Sequence, residues 1–148
     1  MLIVMAGSGS LASSLQAQIS AAGLERTVQM IGFVPDSLLA LTYRAADITL
    51  VPSTALEIFG LVAIESLAAG TPVLVTPVDG LPETVEGLSP QCVLPVTGPR
   101  AIAESVTAAL TGGLKLPSAE ECTRFARERY YWPIIAPRVS SVYAEAMQ

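Results

Sequence analysis

Two acids, Glu57 and Glu65, stand eight residues apart in an otherwise apolar stretch. Glu57 precedes a helical pattern running from Gly60 to Ala69, where the unpaired N–H groups of a first turn and the positive end of the dipole favour anions. Placed on that helix, Glu65 falls between Leu61 and Ala69 with Val62 beside it, in the arc expected to face the protein. A buried, unpaired ion is costly. Glu65 is therefore expected to meet an arginine, with Arg44 a candidate, to accept several hydrogen bonds, or to face a polar ligand in a cleft. From Gly60 to Glu65 the helix rises about 7.5 Å at ~1.5 Å per residue, close to the span from a phosphate to a ribose. One helix can thus offer amides to a sugar or phosphate and a carboxylate to ribose hydroxyls.

The elements that must position this helix read as alternating strands and helices. Leu2 to Ala6 is a continuous apolar strand. Gly7-Ser8-Gly9 and a helix with Leu11, Leu15, Ile19 and Ala22 on one face follow, stopped by Gly23. Val28 to Ile31 is a second strand; a helix capped by Asp36 or Ser37 then buries Leu38, Leu39, Leu41, Thr42 and Ala45 and ends at Tyr43 and Arg44. Asp47 to Val51 is a third strand, feeding the loop that carries Glu57, and Val73 to Thr76 a fourth, with Pro77-Val78-Asp79-Gly80 at its carboxyl end. Glu83, just after Pro82, reads equally as a plain helix-start acid and as a ligand. Cys92 to Pro95 is a short last strand, and Pro99 to Leu110 a helix with Ile102, Val106 and Leu110 on one face. Ser118-Ala119-Glu120-Glu121 is a capping box opening a helix to about Arg129, whose Arg124, Arg127, Glu128 and Arg129 form a charged outer face. Tyr130 to Pro133 introduces a final helix from Ile134 to Met147. This alternation predicts an α/β fold, a Rossmann-like doubly wound parallel sheet with helices on both faces and ligands beyond the carboxyl ends of the strands. Glu57, Gly60 and Gly80 all come from that edge.

Composition narrows the function. The 148 residues suit one domain, 51% hydrophobic and only 14% charged, with no apolar run approaching the ~18 residues of a membrane span. The net charge of −5 and the lack of basic runs argue against a nucleic-acid partner. Met1 to Ala6 is too short and lacks the positive flank of a signal peptide, so a cytoplasmic location is expected. Cys92 and Cys122 have no metal or redox spacing and read as reduced core residues. There is no histidine, and the acids show no metal spacing, so chemistry would rest on carboxylates and backbone dipoles.

The run Pro52-Ser53, Glu57, Phe59-Gly60, Glu65, Ala68, Gly70, Pro72-Val73, Gly80 and Glu83 resembles the E-x7-E signature of the carboxy-terminal, donor-binding lobe of retaining GT-B glycosyltransferases, the family 4 or group 1 enzymes. Gly7, Gly9, Gly32, Tyr43 and Asp47 agree with the same family, so the resemblance covers nearly the whole chain. It implies that Glu57 is the catalytic residue, contacting and orienting the donor hexose. The backbone of Phe59, Gly60 and Leu61 would meet the sugar and distal phosphate, Glu65 would hold the ribose, and the Gly80 loop would line the donor site. It further implies a nucleotide-diphosphate sugar as substrate, no metal and no other cofactor.

The resemblance also implies parts that this sequence does not show: an amino-terminal lobe holding the acceptor, and an opening strand and helix whose Arg and Lys clamp the diphosphate. In the strand order 3-2-1-4-5-6 that strand is central, so residues 2 to 6 and 47 to 51 would have to close a gap or another chain would fill it. The chain is accordingly expected to be a partial lobe or half of a split enzyme, inactive alone. Any peripheral membrane association would come only through the missing parts. Asp79 stands where the family more often has glycine. Two other readings remain: a Rossmann dehydrogenase or epimerase using NAD at Gly7-Ser8-Gly9, disfavoured because Val28 to Phe33 lacks the ribose-binding acid, and a non-catalytic interaction module.

Overall fold

The computed structural model describes residues 1–147. The chain folds as two compact units, Met1–Leu39 and Ala40–Gln148. The first holds β1 (Ile3–Ala6), α1 (Ala12–Ala21), β2 (Val28–Gly32) and the start of α2 (Asp36–Arg44). β1 and β2 pair in parallel, Ile3 opposite Val28 through Met5 opposite Met30, with a register irregularity before Ala6. Gly7 N–H donates to the Gly32 carbonyl at 2.7 Å, and Ala12 N–H to the Gly9 carbonyl at 3.1 Å. Gly7-Ser8-Gly9 therefore serves as a tight turn between strand and helix. The expected apolar strand is present but exposed along its length, because among the described residues it pairs with β2 alone. Of the expected face of α1 only Ile19 is buried, with Leu11 exposed at its N-cap, and α2 leaves Leu38 and Leu41 exposed rather than buried.

The second unit carries β3 (Thr49–Val51), α3 (Leu61–Ala69), β4 (Val73–Val75), α4 (Leu81–Val85), α5 (Pro99–Leu110), α6 (Ala119–Tyr130) and α7 (Trp132–Ala146). β3 and β4 form a second parallel pair, Thr49 opposite Val73 through Val51 opposite Val75. Here the apolar runs are inside: every residue of β4 is buried, as apolar β-branched and leucine side chains in a covered parallel strand should be. Cys92 to Pro95 does not form the expected strand. Pro90–Cys92 is a single 3-10 turn, and only Val93 bridges to Val75, since prolines at 90 and 95 withhold the donors a ladder requires.

Small residues let helices pack closely on this sheet. Ala63 and Leu67 of α3 share one core with Cys122 and Ala126 of α6. Both cysteines are free, and burial raises their thiols to about 12 and about 11, so they act as inert apolar residues. The capping box is formed: Ser118 Oγ accepts from Glu121 N–H at 3.3 Å and the Glu121 carboxylate accepts from Ser118 N–H at 2.8 Å. Arg124, Arg127, Glu128 and Arg129 on the outer face of α6 are all exposed as expected, though two of them are engaged. Arg127 lies over the Tyr131 ring. Arg129 Nη1 donates to the Glu86 carbonyl at 2.7 Å and lies against the Phe125 and Tyr130 rings.

Candidate functional site

β3 ends at Val51 and releases the chain into the loop that carries Glu57, and the site is built where this loop turns into α3. Gly60 occupies the N-cap with φ 73°, a left-handed conformation that glycine adopts without penalty. A Cβ there would also run into the Leu81 side chain. The Gly60 N–H does not wait for a ligand: it donates to Glu57 Oε1 at 3.0 Å, while Ser53 Oγ donates to Glu57 Oε2 at 3.1 Å. The anion-favouring end of α3 is thus met by the chain's own carboxylate, as the dipole argument requires.

A second loop clasps the first. Glu57 N–H donates to Asp79 Oδ2 at 3.2 Å, and Gly80 N–H donates back to the Glu57 carbonyl at 3.2 Å. The Gly80 α-carbon sits so close to the Ile58 carbonyl that a Cβ would overlap it. Leu56 and Asp79 both have positive φ, 61° and 45°, strain that the clasp holds in place. Asp tolerates this conformation better than most residues, which accounts for an acid where a glycine is otherwise expected.

Glu65 lies on α3 but not where its sequence position suggested. It is exposed, on a face shared with Leu61, Val62 and Ala68, because α3 turns Ala63, Ser66 and Leu67 inward instead. Nor does it pair with Arg44. Its carboxylate accepts from the Tyr43 hydroxyl at 2.9 Å. Burial first, then this hydrogen bond and the carboxylate's charge, push the Tyr43 phenol well above its ordinary range.

Phe59 has its ring edge-on to Tyr130, with centroids 6.0 Å apart, and Tyr130 contacts Phe125 in the same way while its hydroxyl donates to the Thr84 carbonyl at 3.0 Å. The ring is engaged with α6, leaving backbone and an exposed Leu61 at the head of α3. Glu57, Phe59, Gly60, Leu61, Glu65 and Gly80 therefore all sit in one unit, and the first five share one loop and helix. Ser53, Tyr43 and Asp79 figure in the sequence resemblance without a contact assigned to them, and Tyr130 is not among the expected site residues. Ser53 stands four residues before Glu57, a readable spacing, whereas Tyr43 is 22 residues from Glu65 and no local pattern joins them. Among the described residues, no three His, Cys, Asp or Glu side chains are grouped to hold a metal, and no helix is long and apolar enough to cross a membrane.

Residues 1–129 match the family described as glycosyl transferases group 1. A protein of Methanocaldococcus jannaschii named "Uncharacterized glycosyltransferase" is 33% identical over 99% of this chain and 37% of its own length. The D-inositol 3-phosphate glycosyltransferase of Thermobispora bispora is 36% identical over 96% of this chain and 33% of its own length. The chain thus spans about a third of the length of these curated relatives. In three dimensions it superposes on HepE of Anabaena, solved with UDP, with a TM-score of 0.84 at 24% identity, covering 98% of this chain and 41% of that one. A sucrose-phosphate synthase of Thermosynechococcus elongatus gives a TM-score of 0.81 at 26% identity, covering 99% and 38%.

Proposed function

The chain belongs to the glycosyl transferases of group 1 and has the fold of a single carboxy-terminal GT-B lobe. From that premise we propose that it binds the nucleotide-diphosphate sugar donor of a retaining hexosyltransferase. The observation that carries this reading is the arrangement on α3: a helix start at which the Gly60 N–H fixes the Glu57 carboxylate in place, and an exposed carboxylate, Glu65, about 7.5 Å further along the axis. The relatives named for transfer to inositol phosphate and the neighbour solved with UDP support it.

In this reading the head of α3 meets the donor's sugar and distal phosphate, and Glu65 accepts hydrogen bonds from the ribose. Glu57 orients the hexose with the acceptor sites that Ser53 and Gly60 leave open on its carboxylate. Transfer breaks the bond between the anomeric carbon and the phosphate oxygen. An acceptor hydroxyl bonds to that carbon on the face the diphosphate leaves, and its proton passes to the departing oxygen. Helix-start amides and basic side chains, rather than a metal, stabilise the diphosphate. The acceptor and those basic groups belong to an amino-terminal lobe and an opening segment outside residues 1–148. Alone, this chain binds donor weakly and transfers nothing, and it acts in the cytoplasm.

Thermal-shift titration with UDP, GDP, ADP and their glucose and mannose conjugates tests this reading. One nucleoside diphosphate should raise the midpoint, Glu65→Gln should lose that rise, and NAD should give none. A rise with NAD, or a nucleotide response that Glu65→Gln leaves intact, would contradict it.

A further inference from the structure

Glu65 is exposed, and a solvated glutamate samples many rotamers, each of which must be frozen when a ligand binds, at a cost of up to ~2 kcal/mol. Here one contact restrains it. The Tyr43 hydroxyl donates to Glu65 Oε2 at 2.9 Å. Both ends of that contact are fixed by a network of buried hydroxyls. Thr71 Oγ1 donates to the Tyr43 carbonyl at 2.7 Å, holding the last turn of α2. Thr71 N–H donates to the Ser66 carbonyl at 3.0 Å, and Ser66 Oγ lies 3.0 Å from the Thr71 carbonyl and 2.7 Å from Thr49 Oγ1. Ser66 and Thr71 are 0% and 3% exposed, and Ser66 is the residue after Glu65. The end of α2, the end of α3 and the start of β3 are thereby tied together beneath the pair.

The chemistry of the partner matters as much as its position. An arginine could take both carboxylate oxygens in a bidentate pair and neutralise the charge. A phenol donates one hydrogen bond, here to Oε2, and among the described residues Oε1 has no partner. One oxygen is anchored and the other is free for a pair of vicinal hydroxyls.

We propose that Tyr43 is a positioning residue that holds Glu65 in the orientation that accepts the ribose hydroxyls of the nucleotide. This rests on the reading of Glu65 as the ribose ligand. Tyr43 itself touches no substrate; it acts through the carboxylate. Because burial and Glu65 raise its phenol, it remains a neutral donor throughout the neutral range.

The test uses this chain and NMR titrations with UDP and with 2′,3′-dideoxy-UDP. Wild type is compared with Tyr43→Phe, Glu65→Gln and the double variant. Phenylalanine keeps the ring and the carbonyl that Thr71 holds, and removes only the hydroxyl. Tyr43→Phe should weaken UDP binding about fivefold, leave the dideoxy nucleotide unaffected, and add nothing in the Glu65→Gln background. A loss that is equal for both nucleotides, or additive with Glu65→Gln, marks a merely structural role and overturns the inference. If Glu65→Gln weakens UDP binding while Tyr43→Phe does not, the inference falls and the ribose reading stands. If Glu65→Gln changes nothing, or wild type binds neither nucleotide at millimolar concentration, both fall. A ligand-free check uses tyrosine labelled at the ring carbon bearing the hydroxyl. The Tyr43 signal, identified by its loss in Tyr43→Phe, should shift at neutral pH in Glu65→Gln as the hydroxyl loses its charged acceptor, and an unchanged signal overturns the inference.

Discussion

Glu57 and Glu65 are the same residue type on one loop and helix, yet the fold treats them in opposite ways. Glu57 is half-buried and bonded at every polar group: its carboxylate takes Ser53 and Gly60, its N–H reaches Asp79 and its carbonyl takes Gly80. Glu65 is exposed and restrained by a single phenol from another helix. An acid that closes its own helix start couples site geometry to stability. An acid that stands on an open helix face can be changed with little consequence for the fold. The two halves of the site should therefore separate under mutation.

The largest effect is expected where the two loops touch. Gly80→Ala would drive a Cβ into the Ile58 carbonyl, so unfolding in urea should show a loss of about 2–3 kcal/mol, with the Glu57 loop displaced. Glu57→Ala should cost about 1–2 kcal/mol, because the Gly60 N–H loses its cap and Ser53 its acceptor. Glu65→Gln should change stability by no more than ~0.5 kcal/mol while weakening nucleotide binding about tenfold, as the loss of a charged hydrogen bond predicts. A Glu65→Gln chain as destabilised as Glu57→Ala would erase the distinction.

Acid provides a finer probe, because the self-capping of Glu57 recurs at Glu121. The Ser118 N–H and hydroxyl hold the Glu121 carboxyl below its ordinary range. A depressed folded value means that the stabilisation is present above the unfolded value and is lost as pH falls through the folded one. Glu121→Gln should therefore flatten the acid side of the stability curve slightly, measured as thermal midpoint against pH, with no change at the nucleotide site.

Much of this arrangement is legible in the residues themselves. Gly60 before an apolar helix, Gly70 and Pro72 after it, and the Ser118 capping box are local signals, and α3 and α6 form where those signals put them. The alternation of strands and helices gives the parallel pairings. What was misread depends on contacts between distant residues. The sequence places Glu65 on the covered side because Leu61, Val62 and Ala69 beside it on the helix are apolar. Periodicity cannot choose a face when nearly all sides are hydrophobic, and the choice was made by the small residues Ala63 and Ser66 turning inward. The Tyr43 contact and the Asp79 clasp each span 22 residues, and no sequence spacing encodes either. Strand β1 is apolar as its sequence reads, yet exposed, because burial depends on what pairs beside it, and among the described residues only β2 does.

The most direct test of the account is a map of amide chemical-shift changes when UDP-glucose is added to this chain. The account predicts that the largest changes fall on Gly60, Leu61 and Glu65, with smaller ones at Asp79 and Gly80, and that Glu65→Gln weakens the response throughout. Changes confined to Gly7, Ser8 and Gly9, leaving α3 unmoved, would contradict it.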